Sequence, residues 1–281
     1  MEKIALICDS SCDVSMELLE KYNINLLPFK IIYKDREYRD RIEISPSEVY
    51  NNLCNEVPTT SLPSIEDMDT TLKKLISEGY THVIAITISS ELSGTFNALN
   101  LISENYPELN IHIFDSKTLT MATGFIILRC ASLIAQGLSF DEIVGNLHSM
   151  RKNVSVYYII DTLEYLKKGG RIGKVSGTLC DLLNIKPIIS VNDEGVYYTF
   201  AKIRGKKQGL SKLLNVAKKS LSESKCKIAI LHGDSLDDSK NLLSQIQTLD
   251  NVTDTYFGEI SPSLGVHTGP GLVGLIIEKD D

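Results

Sequence analysis

The sequence predicts an α/β protein built around a mostly parallel sheet. Three short apolar segments rich in β-branched residues, 3–8, 83–88 and 111–114, alternate with stretches of helical periodicity. This alternation is typical of βα units. The chain has 281 residues, of which 43% are hydrophobic and 23% are charged. We therefore expect a folded chain with one large or two medium domains.

Helix boundaries in the first half carry local signals. Ser45 with Glu48 and Ser139 with Glu142 have the spacing of a capping box, in which the serine accepts from the third amide of the helix. Gly79 fits the end of the helix before the second apolar segment. These signals predict helices after residues 45 and 139. Two further helices are expected over residues 65–77 and 95–105.

The second half of the chain has a different pattern. Apolar segments 186–191 and 196–203 flank the turn 192–195, which predicts an antiparallel hairpin. A hairpin next to βα units indicates a mixed sheet. We therefore expect one domain over residues 1–154 and a second over residues 155–281. Within the second we expect a helix at 210–221, a strand at 227–231, a helix at 236–249 and a Gly-rich tail.

Composition argues against several classes of protein. The 29 basic and 36 acidic residues give a net charge of −7, which does not favour a broad nucleic-acid interface. The longest apolar runs are far shorter than the roughly 20 residues of a membrane-spanning helix. No charged-then-apolar leader precedes the first strand, so a cytoplasmic protein is expected.

The cysteines and the known motifs predict neither a metal site nor a cofactor site. Cys8 and Cys12 are separated by three residues rather than the two of a redox or zinc pair. The chain has no Walker loop, no Gly-x-Gly-x-x-Gly fingerprint and no Gly-x-Ser-x-Gly elbow. We expect reduced, mostly buried thiols at all six cysteines, which are Cys8, Cys12, Cys54, Cys130, Cys180 and Cys226.

Three hydroxyl-rich segments follow or face the ends of predicted strands. The first, 87–95, joins an apolar strand to a helix, where unpaired amides and the helix dipole favour an anion. The second, 58–64, precedes another helix, and the third is Asp115-Ser116. Each alone fits a turn with a helix cap, but three together predict one crevice. The candidate binding residues are Thr60, Ser61, Ser93, Gly94 and Thr95.

The remaining polar candidates are a histidine and two basic groups. His267 lies in the Gly/Pro-rich segment 264–271, which we interpret as a turn that presents it to a pocket or to solvent. Arg171 closes a basic segment after a short predicted helix. Lys202 and Arg204 follow the hairpin. Such cations complement helix C-termini or receive a phosphate or an acidic partner.

Two further groups are assigned structural roles. Asp9 and Asp13 follow the first strand and fit helix caps better than metal ligands, because no histidine accompanies them. The other histidines, His82, His112, His148 and His232, are expected at the surface or at strand edges.

Seven motifs, taken in order along the chain, resemble the DegV family. They are Asp9-Ser10, 58–63 with Thr60-Ser61, 89–95, Asp115-Ser116, 162–172, 186–189 and 265–271. Together they extend over essentially the whole sequence, and the segment 163–191 is the closest match. The sequence departs from the family at Leu62, where glutamine is common.

The resemblance implies a three-layer α/β/α domain with a parallel sheet and a smaller two-layer α/β domain with a mixed sheet. It also implies that an apolar tunnel holds one long-chain fatty acid, with the carboxylate at the interdomain crevice. The protein would be the lipid-binding subunit of a bacterial fatty acid kinase rather than an enzyme by itself. A separate ATP-dependent subunit would make the acyl phosphate, and an acyltransferase of phospholipid synthesis would consume it.

The same resemblance assigns roles to individual residues. Thr60, Ser61, Ser93, Gly94, Thr95 and His267 would hold the carboxylate, while Arg171, Lys202 and Arg204 would face the kinase subunit or the phosphate. It implies no cofactor, no nucleic acid and no transmembrane segment, and allows transient contact with a membrane surface. Two alternatives stay open: a hydrolase or transferase that uses Ser93 or His267, and a binding module for another anionic metabolite.

Overall fold

The computed structural model describes residues 2–173, 175 and 185–280, which form three sheets and their covering helices. In chain order the strands are β1 Ile4–Asp9, β2 Ile24–Leu27, β3 Lys30–Ile32, β4 Glu37–Arg39, β5 Thr59–Ser61, β6 His82–Thr87, β7 Asn110–Asp115, β8 Val154–Ile159, β9 Ile185–Val191, β10 Tyr197–Arg204, β11 Cys226–Gly233, β12 Val252–Glu259 and β13 Leu272–Lys279. The α-helices are α1 Met16–Lys21, α2 Pro46–Asn52, α3 Ile65–Ser77, α4 Thr95–Ser103, α5 Thr120–Ala135, α6 Phe140–Asn153, α7 Glu164–Lys168, α8 Gly205–Glu223, α9 Leu236–Ile246 and α10 Pro262–Thr268. A 3-10 helix covers Ser10–Cys12.

The first sheet is parallel, as predicted, with strand order β2-β1-β6-β7. Side chains alternate between its faces, so Ala5 and Ile7 of β1 pack with α3 and α4 residues, whereas Leu6 and Cys8 join a cluster with α5 and α6 residues. Helices therefore cover both faces, and the α/β class is confirmed.

The second sheet is mixed, as predicted, with order β10-β9-β8-β13-β11-β12. Only β11 and β12 run parallel. Residues of α8 and α9 cover one face. On the other face, side chains such as Tyr158 and Leu231 belong to the cluster that contains α5 and α6 residues. Because this cluster joins the two sheets, the division at residue 154 stays a prediction.

The Gly-rich tail is a wrong prediction. Residues 252–279 form β12, α10 and β13, and β13 lies inside the six-stranded sheet between β8 and β11. A strand that is buried on both faces shows a continuous apolar run rather than alternation. The preceding glycines and proline hid that run because they belong to the connection after α10.

The third sheet is small and antiparallel, with order β4-β3-β5. This sheet was not predicted. The second hydroxyl-rich segment was interpreted as a turn, but its residues Thr59–Ser61 form the strand β5. Its neighbours are α2 and α10. Short strands of three residues give too little pattern to recognise from sequence.

Most local signals are confirmed. Both capping boxes form, at Ser45 and Ser139, and Ser64 caps α3, which covers the predicted residues 65–77. Gly79 adopts φ +76 just beyond α3. The predicted hairpin is present, and Ser89 Oγ donates to the carbonyl oxygen of Gly195 in its turn at 2.9 Å, which anchors the turn against the end of β6.

Three smaller expectations need correction or restriction. His232 is only 9% exposed, because β11 lies inside its sheet rather than at an edge. Lys202 and Arg204 do not follow the hairpin but belong to its second strand, β10. Free thiols are found at Cys8, Cys12, Cys54, Cys130 and Cys226, of which Cys54 is exposed, while Cys180 lies outside the described residues.

Candidate ligand-binding site

A cavity of about 270 Å³ lies where the first sheet, the three-stranded sheet and α10 meet. We call it the head-group cavity. The strand ends of β1 and β6 open onto it through Ser11 and Ile88. The structure brings six of the predicted residues to its wall, namely Thr60, Ser61, Ser93, Gly94, Arg171 and His267.

The loop after β6 supplies Ser93 and Gly94. Ser93 Oγ lies 2.9 Å from Thr95 Oγ1 and accepts from the Thr95 amide at 3.3 Å. Thr95 itself is fully buried and does not line the cavity, so it positions Ser93. Gly94 is the N-cap of α4, without a side-chain cap. A Cβ atom there would lie 3.3 Å from Cδ2 of Leu62, so glycine keeps this wall compact.

Thr60 and His267 come from elements 207 positions apart and meet across the cavity wall. Thr60 Oγ1 lies 2.7 Å from Nε2 of His267. The other ring nitrogen, Nδ1, is buried and has no hydrogen-bond partner among the described residues. Burial, assisted by the nearby Arg171 charge, lowers the pKa of His267 to about 4. The ring is therefore neutral near pH 7.

The structure corrects the turn that was predicted around His267. His267 lies in the last turn of α10, which begins at Pro262 and is followed by Gly269 with φ 69. The Gly/Pro-rich segment 264–271 thus covers the C-terminal part of a seven-residue helix and the connection that follows it. A helix holds the ring more rigidly than a loop would.

Arg171 closes one side of the cavity. Its Nη1 donates to the carbonyl oxygen of Gly169 at 2.6 Å, and its Nε donates to that of Leu92 at 3.3 Å. Within the described part of the chain no carboxylate lies in ion-pair contact with it. Gly169 packs flat against His267, and a Cβ atom there would overlap Nδ1 of the ring.

The head-group cavity borders a small apolar void. This void, of about 20 Å³, lies between α10 and the inner face of the six-stranded sheet. Leu264 and Thr268 of α10 line both spaces. The wall of the inner void is mostly aliphatic, with Leu231, Leu272 and Ile276 among its residues.

Buried carboxylates hold the loops around the cavity. Asp9 accepts from the amide of Ile88 at 2.8 Å, and Asp40 accepts from the amide of Ser263 at 3.1 Å. Asp13 accepts from the amide of Ser261 at 2.8 Å. Burial raises the pKa of Asp9 and Asp40 to about 6 and that of Asp13 to about 7. The structural roles expected for Asp9 and Asp13 agree with these contacts.

Some predicted residues lie elsewhere. Ser116 is fully buried at 3.0 Å from Thr123 Oγ1, so the third hydroxyl-rich segment does not reach the cavity. Lys202 and Arg204 are exposed. Tyr197 at the start of β10 lines the cavity, and Arg204 ends that strand about 23 Å away, at about 3.3 Å per residue.

Sequence reasoning missed several wall residues. Ser11, Phe29, Tyr197 and Ser263 line the cavity without having been proposed. The Asp9-Ser10 motif was a signal for Ser11, since it marks the end of the first strand. Phe29 and Tyr197 had no such signal, because an aromatic residue within or next to a strand usually belongs to the core.

The contacts bear on the hydrolase alternative. The described hydrogen bonds of Ser93 Oγ are to Thr95, and that of His267 Nε2 is to Thr60. A serine nucleophile needs a base within hydrogen-bond reach. The described residues therefore form no serine and histidine pair at this site. They also contain no group of three or more His, Cys, Asp or Glu residues suited to a metal ion.

Comparison with known proteins assigns the family. The model of the DegV family, an uncharacterised protein family, matches residues 3–280. The chain belongs to the DegV family. A DegV domain-containing protein of Clostridium acetobutylicum is 55% identical over 279 residues, which cover 99% of this chain and 100% of that protein.

Solved structures of similar proteins share the whole fold. A fatty-acid-binding DegV family protein from Thermus thermophilus matches with a TM-score of 0.93 and 27% identity, covering 99% of this chain and 100% of that one. A stearic-acid-binding protein from Eubacterium ventriosum matches with a TM-score of 0.85 and 29% identity, covering 99% and 98%. In the described part of this DegV chain, no helix has both the length and the apolar composition to cross a bilayer.

Proposed function

We propose that this DegV protein binds one long-chain fatty acid, with its carboxylate in the head-group cavity and its tail directed past Leu264 into the apolar interior. The observation that carries the proposal is the junction at Leu264 and Thr268, where a wall of hydroxyl donors gives way to an aliphatic void. The descriptions of the Thermus and Eubacterium relatives as fatty-acid-binding proteins support it.

The tail supplies most of the affinity in this proposal. Burying about 15 methylenes at about 0.8 kcal/mol each yields roughly 12 kcal/mol before the costs of binding. A hydrogen bond to a carboxylate adds about 1.5 to 3 kcal/mol. The inner void of about 20 Å³ is smaller than a tail, so the side chains around Leu264 must move apart as it enters.

The head group is held mainly by uncharged donors. The hydroxyls of Thr60, Ser61 and Ser93 and the amide of Gly94 surround the carboxylate, and His267 contributes a neutral ring nitrogen. Arg171 already donates to two carbonyl groups, which restrains it from forming a bidentate clamp. A carboxylate that is not clamped by a cation stays nucleophilic.

We further propose that the bound acid is a substrate for a separate ATP-dependent kinase subunit. A carboxylate oxygen forms a bond to the γ-phosphorus of ATP, the bond to the bridging oxygen breaks, and ADP leaves. Arg171 would stabilise the added negative charge, and the exposed Lys202 and Arg204 would face the kinase subunit. An acyltransferase then consumes the acyl phosphate. The DegV protein itself contributes binding and orientation rather than catalytic residues.

The test measures palmitate binding and palmitate phosphorylation by a cognate kinase subunit in parallel. We expect Ser93→Ala combined with Thr60→Ala to weaken both at least tenfold, and His267→Ala to reduce phosphorylation more than binding. Thr59→Ala is the matched control, because Thr59 is an exposed neighbour that does not line the cavity. Unchanged binding and turnover in all these variants would show that the head-group site is misassigned.

A further inference from the structure

A second and larger crevice, of about 890 Å³, opens on another side of the molecule. It lies between β7, α6, β8 and the hairpin turn at residues 192–195. None of the described residues that line it also lines the head-group cavity. The proposed fatty acid site therefore leaves this crevice unexplained. We call it the lateral crevice.

Two strand edges form its walls. β7 is the edge strand of the parallel sheet, and β8 pairs with β9 only from Tyr157 onwards. Consecutive residues line the crevice from both strands, 112–115 and 154–157. Because side chains alternate along a strand, a consecutive run means that the backbone edge itself faces the space. Main-chain donors and acceptors are therefore available to a ligand in the crevice.

Arg151 is the central cation. Its Nη2 donates to the carbonyl oxygen of Lys117 at 2.9 Å and to that of Asn192 at 3.4 Å, which fixes the guanidinium between the two sheets. Its Nε is buried and has no hydrogen-bond partner among the described residues. The described side chains also give it no carboxylate in ion-pair contact. A half-buried guanidinium with an unused donor is suited to an anion.

The neighbouring charges reinforce this preference. Lys152 and Lys117 also line the crevice, together with His148 and with His112, whose pKa is lowered by burial so that its ring is neutral near pH 7. Of the two acidic residues there, Asp115 is paired with Lys117 at 2.8 Å and Asp193 is exposed at the turn. The local balance is thus positive in a chain whose net charge is −7.

Aromatic rings complete the lining. Phe114 packs edge-on against His148 with ring centroids 5.3 Å apart. Phe96, Tyr157 and Tyr198 contribute further apolar surface. Planar rings of a ligand stack on such surfaces. The volume lies within the range of about 300 to 1,000 Å³ that is usual for small-molecule sites.

We propose that the lateral crevice binds a small organic phosphate that carries a planar ring. The phosphate contacts the Arg151 guanidinium and Lys152, with His112 and His148 beside it, and the ring lies among the aromatic side chains. This site is independent of the fatty acid site.

The test is isothermal titration calorimetry of the whole chain with ADP, adenosine and inorganic phosphate as separate probes. We expect saturable binding of ADP at least tenfold tighter than that of adenosine or phosphate alone. Arg151→Met should weaken ADP binding at least tenfold, and the exposed charge reversal Lys152→Glu at least fivefold. Lys218→Glu, an exposed lysine of α8 away from the crevice, is the matched control and should bind like the parent.

Three results would overturn the proposal: no binding of ADP, equal binding of ADP and adenosine, or full ADP affinity in Lys152→Glu. Lys152 is exposed, so this variant keeps the test valid even where Arg151→Met fails to fold. Palmitate binding measured on the same samples should not change in Lys152→Glu. A loss of palmitate binding there would contradict the independence of the two sites.

Discussion

The head-group cavity and the lateral crevice differ in size and in chemistry. The first measures about 270 Å³ and presents hydroxyls, a neutral histidine and an arginine held by two carbonyl groups. The second measures about 890 Å³ and presents Arg151, Lys152 and two histidines. The larger space lies along strand edges, whereas the smaller one opens at the ends of β1 and β6. Polar character, rather than volume, therefore indicates which ligand each space suits.

The difference also explains how each site tolerates an anion. In the proposed fatty acid site a tail that is buried elsewhere would supply the affinity, so the acid end would need only neutral donors. A small ligand in the lateral crevice has no such tail, and its affinity must come from charge-assisted contacts. Substitutions that change either the packing or the charge of one site, but not both, therefore test this difference between the two sites.

The largest effect is expected for Gly169→Ala. Gly169 has φ −77, which alanine adopts freely, but the added methyl group overlaps the ring of His267. We expect the ring to be pushed into the cavity and palmitate binding to fall below detection in a fluorescence displacement assay. The matched control is Gly145→Ala in α6, where a methyl group meets open space and binding should be unchanged. Normal palmitate affinity in Gly169→Ala would mean that the ring does not border the site.

The neutral state of His267 predicts a pH effect on stability. Its pKa is lowered from 6.5 to about 4 in the folded protein, so the unfolded chain takes up a proton first as the pH falls. Stability present above pH 6.5 is thus lost towards pH 4, by about 3 kcal/mol. Denaturant unfolding at pH 7.5 and 4 should show this loss in the parent relative to His267→Gln. Parallel pH profiles for the two proteins would contradict a buried neutral histidine.

A smaller effect is expected for Thr60→Val, which keeps the shape and removes the hydroxyl. Its partner, Nε2 of His267, loses a contact of 2.7 Å, and the carboxylate loses one donor. We expect palmitate affinity to fall at least about tenfold, because a hydrogen bond to a carboxylate is worth about 1.5 kcal/mol or more. The control Thr59→Val should bind like the parent, because Thr59 is exposed. Equal palmitate affinities in Thr60→Val and Thr59→Val would show that Thr60 does not contact the carboxylate.

The smallest effect on lipid binding is expected for Arg204→Glu. Arg204 ends β10 about 23 Å from Tyr197, at about 3.3 Å per residue, and its side chain is exposed. Palmitate affinity should stay within about twofold of the parent, while association with the kinase subunit should weaken about tenfold. Surface plasmon resonance with the kinase subunit and palmitate titration separate the two effects. Weakened lipid binding with intact association would reverse the assignment.

The sequence was informative where local rules decide the structure. The capping boxes at Ser45 and Ser139 and the helix over residues 65–77 are correct because a cap and its helix are adjacent in the chain. The parallel strands are correct because β-branched runs between helices have few alternatives. The same logic placed Ser93 and Gly94 at the junction of β6 and α4.

The sequence was uninformative where distant segments meet. Thr60 and His267 are 207 positions apart, and their contact depends on a three-stranded sheet whose strands are too short to predict. β13 was mistaken for a tail because its apolar run has no alternation and its neighbours are glycines. The lateral crevice was not foreseen, because it is formed by edges of strands that pair in two different sheets.

Native mass spectrometry of the protein as purified from bacteria tests the central proposal most directly. We expect the parent protein to carry one long-chain fatty acid per chain. We expect Leu264→Trp to carry none, because the indole would block the junction that Leu264 lines between the head-group cavity and the inner void. A parent protein that is purified without any acyl chain, or with a polar ligand in its place, would contradict the account.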